Sequence, residues 1–324
     1  MTTDASVTAH LKSQRYGKDR VRLVKVLRHA DGTQDLAELT VTVLLEGDFE
    51  SVYTQADNRA VVATDSVKNT IYALAKLQPT VLPIERFGLT LGRHFLGTYP
   101  HVSHVHVTIQ QHPWHRMTLD GAPHPHSFTR GNGTMRRTTQ VTAQRTGPHT
   151  AYAPTGGSRV HNTSLEWTAT VESGFCELAV LKTTGSAFTD FLRDGYTTLP
   201  ETDDRILSTN VDCRWRFTGT EPAALGRVNY DRVYRTMQDH TLRIFAHDNS
   251  ASVQATLFRM AHAGLRDCPD LKEISYALPN NHIFAVNLAP LGLANTGRDL
   301  DVYVPVTDPS GLITATVART AAKL

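Results

Sequence analysis

Residues 37–74, AELTVTVLLEGDFESVYTQADNRAVVATDSVKNTIYAL, change their hydrophobic period once, and that change decides the fold class. Ala37, Leu39, Val41, Val43 and Leu45 alternate with Glu38, Thr40, Thr42 and Leu44. A period of two describes a strand with one buried face. After Thr64-Asp65-Ser66, Val67, Ile71 and Leu74 recur at helical spacing, and Thr64 or Asp65 stands where it can cap the first N–H groups. Upstream, Val21 to Arg28 reads as a partner strand, joined through the turn signal Asp31-Gly32. Downstream, Ile84, Phe87, Leu91 and Phe95 form a second helical stripe opened by Pro83, and alternation returns over His101 to Gln111 and Arg136 to Arg145. The order is strand, strand, helix, helix, strand, strand.

The order then repeats. Thr146 to Arg159 is rich in Gly, Pro and Thr and reads as a connection. Leu165, Trp167, Ala169 and Val171 predict one strand, Leu178 to Lys182 a second, and Phe188 to Arg193 a short helix. Arg205 to Phe217 alternates again, with Leu207, Val211, Cys213, Trp215 and Phe217 on one face. Tyr230, Val233, Met237 and Ile244 mark a long helix, and Val253, Leu257, Met260 and Leu265 a shorter one. Glu273 to Val286, interrupted by Pro279-Asn280-Asn281, and Asp301 to Val306 close the chain as strands. The expectation is an α+β protein of two tandem domains, 1–150 and 151–324, each an antiparallel four-stranded sheet with helices on one face.

Composition narrows the partners. The 33 basic and 31 acidic residues leave a net charge of +2 with no basic block, which offers nucleic acid no electrostatic footprint. No apolar run is long enough to span a membrane. Cys176, Cys213 and Cys268 are odd in number and far apart, which fits a reducing compartment without a disulfide framework. The start MTTDASVTAHLKSQRYG lacks the apolar core of a secretory signal. Arginine outnumbers lysine 25 to 8, a bacterial-type bias that favours a cytoplasmic setting. The last residues, Ala322-Lys323-Leu324, loosely resemble a peroxisomal address, the alternative location.

No phosphate loop, nucleophile elbow or HExxH pair occurs, so the chemistry must lie in polar residues at element ends. Lys18 precedes the first strand. Thr64 and Asp65 open a helix, whose amides favour an anion. Arg205 shares parity with a buried strand face and needs a planar, anionic or carbonyl-bearing partner there. Val253 offers a free amide at a helix start and Gln254 a donor pair with an acceptor. Phe188 reads as a core residue of its helix. His282, just beyond Asn280 and Asn281, is suited to proton transfer near neutral pH. His104 and His106 share a strand face at ligand-like spacing, but a metal needs three or four converging ligands, and none is expected.

Six segments in order resemble the urate oxidase (uricase) family of tunnelling-fold proteins: YGKDRVRLVKV (16–26), ATDSVKNTIYALAK (63–76), HVHVTIQQHPW (104–114), VLKTTGSAFTDFLRDGYTTLPETDDRILST (180–209), SVQATLF (252–258) and YALPNNHIFAV (276–286). The resemblance implies oxidation of urate by dioxygen to 5-hydroxyisourate and hydrogen peroxide without a cofactor. It implies that Arg205 and Gln254 grip urate, that Phe188 stacks on it, and that the amides of Val253 and Asp65 bind its edges. Lys18, Thr64 and His282 would relay protons, and Asn280 with Thr64 would hold dioxygen or water. It further implies a barrel-like homotetramer with sites at subunit interfaces, Lys18, Thr64 and Asp65 coming from one chain and the clamp from its neighbour. Two rival readings are a zinc-dependent pterin enzyme of the same fold using His104 and His106, and a purine-binding tetramer without turnover. The resemblance says nothing about the His- and Thr-rich stretch from Gly121 to His161.

Overall fold

A computed structural model describes residues 9–130, 133–148 and 165–320. In chain order the strands and α-helices are β1 (Tyr16–Arg28), β2 (Gln34–Gly47), α1 (Glu50–Thr54), α2 (Thr64–Leu77), α3 (Ile84–Thr98), β3 (Val102–His112), β4 (His115–Leu119), β5 (Ala122–Thr129) and β6 (Arg136–Arg145). Then follow β7 (Trp167–Lys182), β8 (Leu207–Phe217), α4 (Pro222–Leu225), α5 (Tyr230–His247), α6 (Val253–Asp267), β9 (Leu271–Ala285) and β10 (Tyr303–Ala318). The fold is α+β. Two compact units divide the chain: unit 1 holds Met1–Gln111, Thr139–Val171 and Gly219–Arg227, and unit 2 holds His112–Thr138, Glu172–Thr218 and Val228–Leu324.

Unit 1 carries the strand order β1-β2-β3-β6, with β1 and β2 antiparallel. The alternation of β2 buries Leu39, Val41, Val43 and Leu45 completely. They share a core with Val67 and Ile71 of α2 and with Ile84, Phe87, Leu91 and Phe95 of α3. Each such side chain contributes roughly 1.5–3 kcal/mol relative to exposure. Gly17 lets β1 approach β2, since a Cβ there would stand 2.0 Å from the Val43 carbonyl oxygen. The ladder then shifts register between Lys18 and Val21, where Arg20 has φ of 53°.

Unit 2 carries the antiparallel order β7-β8-β9-β10. Leu207, Val211, Cys213, Trp215 and Phe217 of β8 are buried as their alternation requires. Val233, Met237 and Phe245 of α5 and Leu257 and Met260 of α6 complete this core. α6 packs on β9 and β10.

Several expectations need correction. Trp167 to Val171 and Leu178 to Lys182 belong to one strand, β7, which Leu165 precedes and whose register shifts between Phe175 and Leu178 around Glu177 at φ of 59°. The polar Glu172-Ser173-Gly174 mimics a turn, but Asp212 Oδ1 accepts the Glu177 N–H at 2.8 Å and holds a bulge. Phe188 to Arg193 is not helical. Phe188 and Thr202 instead exchange two backbone hydrogen bonds of 2.8 and 3.1 Å, and Asp190 sits at φ of 56°, which a helix excludes. Pro279-Asn280-Asn281 does not interrupt β9; the irregularity lies in its partner β10, between Val306 and Gly311. β10 runs to Ala318, well past Val306, and the β4–β5 hairpin was not expected. Pro83 and Ala63 are the N-cap residues of α3 and α2, so Thr64 is the first helical residue and neither it nor Asp65 caps by its side chain. Most of the Thr146 to Arg159 connection and the terminal Ala322-Lys323-Leu324 lie outside the described residues. Among the described residues no helix is long and apolar enough to cross a membrane.

Candidate functional site

In unit 1 the candidate residues gather at the start of α2. Tyr16 fixes the approach to it: its hydroxyl accepts the Val62 N–H at 2.8 Å, and its ring meets Phe49 edge-on at 4.8 Å. Burial pushes the Tyr16 phenol up to about 12. With Ala63 providing no side-chain cap, the first amides of α2 face outward from an exposed helix start. The Asp65 carboxylate is engaged on its own helix, accepting from Lys68 Nζ at 2.6 Å and Asn69 Nδ2 at 2.8 Å. Those bonds, Lys68 foremost, hold its carboxyl below the usual range, and Lys18 adds to the effect. Asp65 therefore presents its amide rather than its charge to a ligand. Lys18 itself is half-buried on β1.

In unit 2 the candidates lie on three neighbouring pieces. Arg205 sits two residues before β8 rather than opening it. Its backbone N–H donates to the Ser186 carbonyl at 2.8 Å, and its Nε lies 3.4 Å from Ser186 Oγ. The guanidinium is half-buried, with its carbon 5.1 Å from the centre of the Phe188 ring. Burial lowers its pKa, and among the described residues no carboxylate oxygen lies within 4.0 Å of it. A guanidinium so placed lacks the anion that would offset its desolvation. Phe191 stacks on Phe188 at 4.6 Å and 10°. α6 begins at Val253 behind the cap Ser252, whose hydroxyl accepts the Ala255 N–H at 3.3 Å and whose carbonyl accepts the Thr256 N–H. The amides left at that helix start are those of Val253 and Gln254. Ser252 Oγ donates to Gln254 Oε1 at 3.1 Å. On β9, Asn280 registers with Thr209 and Gly311, and the half-buried His282 stacks on Phe284 at 5.5 Å. Asn281 Nδ2 reaches Asn210 Oδ1 at 3.5 Å.

The histidine-rich stretch serves other ends. His101 bonds the Ala60 carbonyl at 2.9 Å inside unit 1. His104 and His106 do share a face, stacked 6.2 Å apart. Glu46 lies 3.1 Å from His106 Nε2 and 4.0 Å from His104 Nδ1, and it also accepts from Arg15 Nε at 3.2 Å. Among the described residues no three His, Cys, Asp or Glu side chains are arranged to hold a metal ion. A cavity of about 560 Å³ between α5 and α6, lined by Phe258, Arg259, His262 and Asp248 among others, touches none of the candidate residues.

Sequence reasoning missed the groups that fix these candidates: Tyr16, Lys182, Ser186, Asp248, Ser250 and Thr256. Only Tyr16 carried a signal, an aromatic directly before Gly17-Lys18.

Fold and site together describe an α+β protein that offers amides, an amide side chain and a guanidinium with no carboxylate partner among the described residues to a polar ligand. The uricase family profile matches residues 14–142 and 171–314, and the chain belongs to that family. Uricase of Aspergillus flavus is 44% identical over 320 residues, covering 97% of this chain and 98% of its own length. Uricase of Schizosaccharomyces pombe is 39% identical over 316 residues, covering 97% and 99%. The crystal structure of uricase from Arthrobacter globiformis has a TM-score of 0.81 at 35% identity, covering 98% of both chains.

Proposed function

We propose that the protein oxidises urate with dioxygen and water to 5-hydroxyisourate and hydrogen peroxide, the opening step of urate degradation. Membership of the uricase family supports the substrate. The observation in this chain that carries the reading is Arg205, half-buried and without a carboxylate partner among the described residues. Urate is a flat anion with adjacent carbonyl and ring-nitrogen acceptors, which a guanidinium fork matches. Gln254 accepts from a ring N–H while donating to a carbonyl, and the Val253 and Asp65 amides serve the edges. Phe188 provides the stacking face. The Arg205 guanidinium and the Phe191 ring both pack against Phe188, which keeps the stacking face and the clamp side by side.

Urate gives up two electrons and dioxygen accepts two to become peroxide, while water supplies the new hydroxyl. The substrate is its own reductant, so the reading needs no cofactor from the chain. What remains is deprotonation and placement. Lys18, Thr64 and His282 form the relay: the Thr64 hydroxyl passes a proton between amine and imidazole, and Asn280 with Thr64 holds dioxygen and then water above the ring.

Lys18, Thr64 and Asp65 belong to unit 1, and the clamp, Asn280 and His282 to unit 2. In the proposed homotetramer of tandem-domain chains (1–150 and 151–324), one subunit supplies the first group and its neighbour the clamp. β1 ends the strand order in unit 1 and β10 in unit 2, and pairing such edges between copies closes a ring. Three unpaired cysteines fit a reducing compartment, and the arginine-rich composition favours the cytoplasm, with the peroxisome as the alternative. The test is direct: purified protein with urate should lose the substrate's ultraviolet absorbance with matching oxygen uptake and peroxide release. Binding without oxygen uptake would instead favour the purine-binding tetramer, and activity tied to stoichiometric zinc the pterin-type enzyme.

A further inference from the structure

Behind the clamp of unit 2 lies a buried polar joint that none of these roles uses. β7 ends at Lys182, and the chain then runs beside residue 250. Ala187 N–H donates to the Ser250 carbonyl and Ser250 N–H to the Gly185 carbonyl, each at 3.0 Å. Lys182 Nζ donates to the Asp248 carbonyl at 2.6 Å and to Ser250 Oγ at 2.9 Å, and it stands 5.6 Å from the centre of the Phe245 ring. Thr256 Oγ1 lies 2.5 Å from Asp248 Oδ2 and 2.9 Å from Ser250 Oγ. Ser186, Ser250 and Thr256 are each at most 1% exposed.

A hydroxyl has one hydrogen, which fixes the direction of this chain. The Thr256 proton goes to the carboxylate, the strongest acceptor, so Thr256 accepts from Ser250, and Ser250 accepts from Lys182. The order is Lys182 to Ser250 to Thr256 to Asp248, and Arg259 pairs with the other Asp248 oxygen. Every member has a partner, so the joint has one satisfied arrangement.

Two clamp elements leave this joint. The Ser186 carbonyl holds the Arg205 backbone N–H, and Ser186 Oγ, which donates to the Ser250 carbonyl at 3.2 Å, lies beside Arg205 Nε. Two residues past Ser250, Ser252 caps α6 and sets the Val253 amide and Gln254. The separation between Arg205 and the α6 start is thus fixed through Ser186, Ser250 and Lys182.

We propose that Lys182 is a positioning residue for substrate: through Ser250 it holds Arg205 and the α6 start at the spacing of the two edges of one purine ring. Even partial burial of an ammonium beside a carbonyl and a hydroxyl costs free energy, and an apolar side chain would fill the same space at less cost. What the lysine adds is geometry. It touches neither the relay nor dioxygen, so it governs affinity rather than turnover.

The inference rests on the urate-oxidase reading, and the wild-type assay separates the two: a wild type that leaves urate unoxidised sinks the reading before any variant is made. Given an active wild type, Lys182→Met should raise KM for urate, and Kd for a non-oxidisable urate analogue, by about ten- to a hundredfold, as for a displacement near 1 Å. kcat at saturating urate should stay within about threefold, because the relay is untouched. Ser250→Ala keeps the lysine's bond to the Asp248 carbonyl and should shift KM the same way by less; it decides the case if Lys182→Met does not fold. Adding Lys182→Met to Arg205→Ala should cost less than the product of the single effects, since one acts through the other. A purely structural lysine would lower the active fraction, and hence kcat, at unchanged KM. Unchanged KM and Kd in the folded variants, or full multiplicativity with Arg205→Ala, would overturn the proposal.

Discussion

Replacing Arg205 with methionine should nearly abolish urate binding while leaving the fold as stable as before. The folded protein gains little from this guanidinium. Its polar side-chain partner is Ser186 Oγ at 3.4 Å, a long contact, and its carbon lies 5.1 Å from the Phe188 ring centre, a cation–π contact worth ~0.5–1 kcal/mol at a partly exposed site. Burial works against the charged form, and a methionine stem keeps most of the packing. The net change in stability is therefore within about 1 kcal/mol, or ~4 °C in Tm. Binding is another matter. Truncating one partner of a partly buried charge-assisted pair costs ~2–5 kcal/mol, which is about 30- to 5,000-fold in Kd. Arg205→Lys should recover little of it, because a point charge cannot replace the fork. Titration calorimetry with a non-oxidisable urate analogue and a thermal melt on the same samples measure both quantities. A Kd within about tenfold of wild type, or a Tm lowered by more than ~8 °C, would refute the assignment of Arg205 as an anion clamp held ready at a small cost to the fold.

Alanine at Lys18 or Thr64 should lower turnover by ~10²–10⁴-fold with analogue affinity kept, and the double variant should be little worse than the poorer single one, as stopped-flow and equilibrium titration can establish. Additive losses, or normal turnover in Lys18→Ala, would remove the relay. Mixing inactive Thr64→Ala and Arg205→Ala proteins under subunit exchange should restore activity at hybrid interfaces; silence despite verified exchange would place both residues in one chain's own site. Tyr16→Phe orphans the Val62 amide and should cost ~1 kcal/mol at neutral pH. Because the folded phenol is raised from 10.0 to about 12, the stability it contributes is whole below pH 10 and lost as pH rises toward 12, so Tyr16→Phe should show the shallower alkaline decline in parallel denaturant titrations.

Where one face of an element is buried and the other wet, the sequence states the fold almost outright. β2, β8, α2, α3, α5 and α6 all stand where their periods put them, because Leu39, Trp215, Ile71 and Met260 each had one place to hide. The misread segments share a different physics. Between Phe188 and Arg193 the spacing suits a helix, yet backbone bonds to Thr202, together with the hold of Asp204 on Thr184 Oγ1 and Gly185 N–H, win locally. Glu172-Ser173-Gly174 and Pro279-Asn280-Asn281 have turn composition, but paired strands on both sides absorb them, one beside a bulge and one within β9. Local preference is worth about 1 kcal/mol, and a full ladder outweighs it.

The candidate site was legible for the same reason in part. Arg205 on an apolar parity, and Thr64, Asp65 and Val253 at helix starts, are anomalies that one dimension can show. Their fixing groups are not. Lys182, Ser186, Asp248, Ser250 and Thr256 span the end of β7, the loop after it, the end of α5 and the start of α6, and each alone reads as an ordinary polar residue. The geometry also explains why backbone donors are prominent. The Asp65 carboxylate is spent on Lys68 and Asn69, and the Ser252 hydroxyl on Gln254 and Ala255, so each helix start presents amides whose direction the helix itself holds. Such donors lose no rotamer entropy on binding and point the same way with or without ligand. Arg205 and Gln254 are the exceptions, two long side chains that must be ordered around the purine, and it is their attachment points that the buried joint of Lys182 and Ser250 fixes.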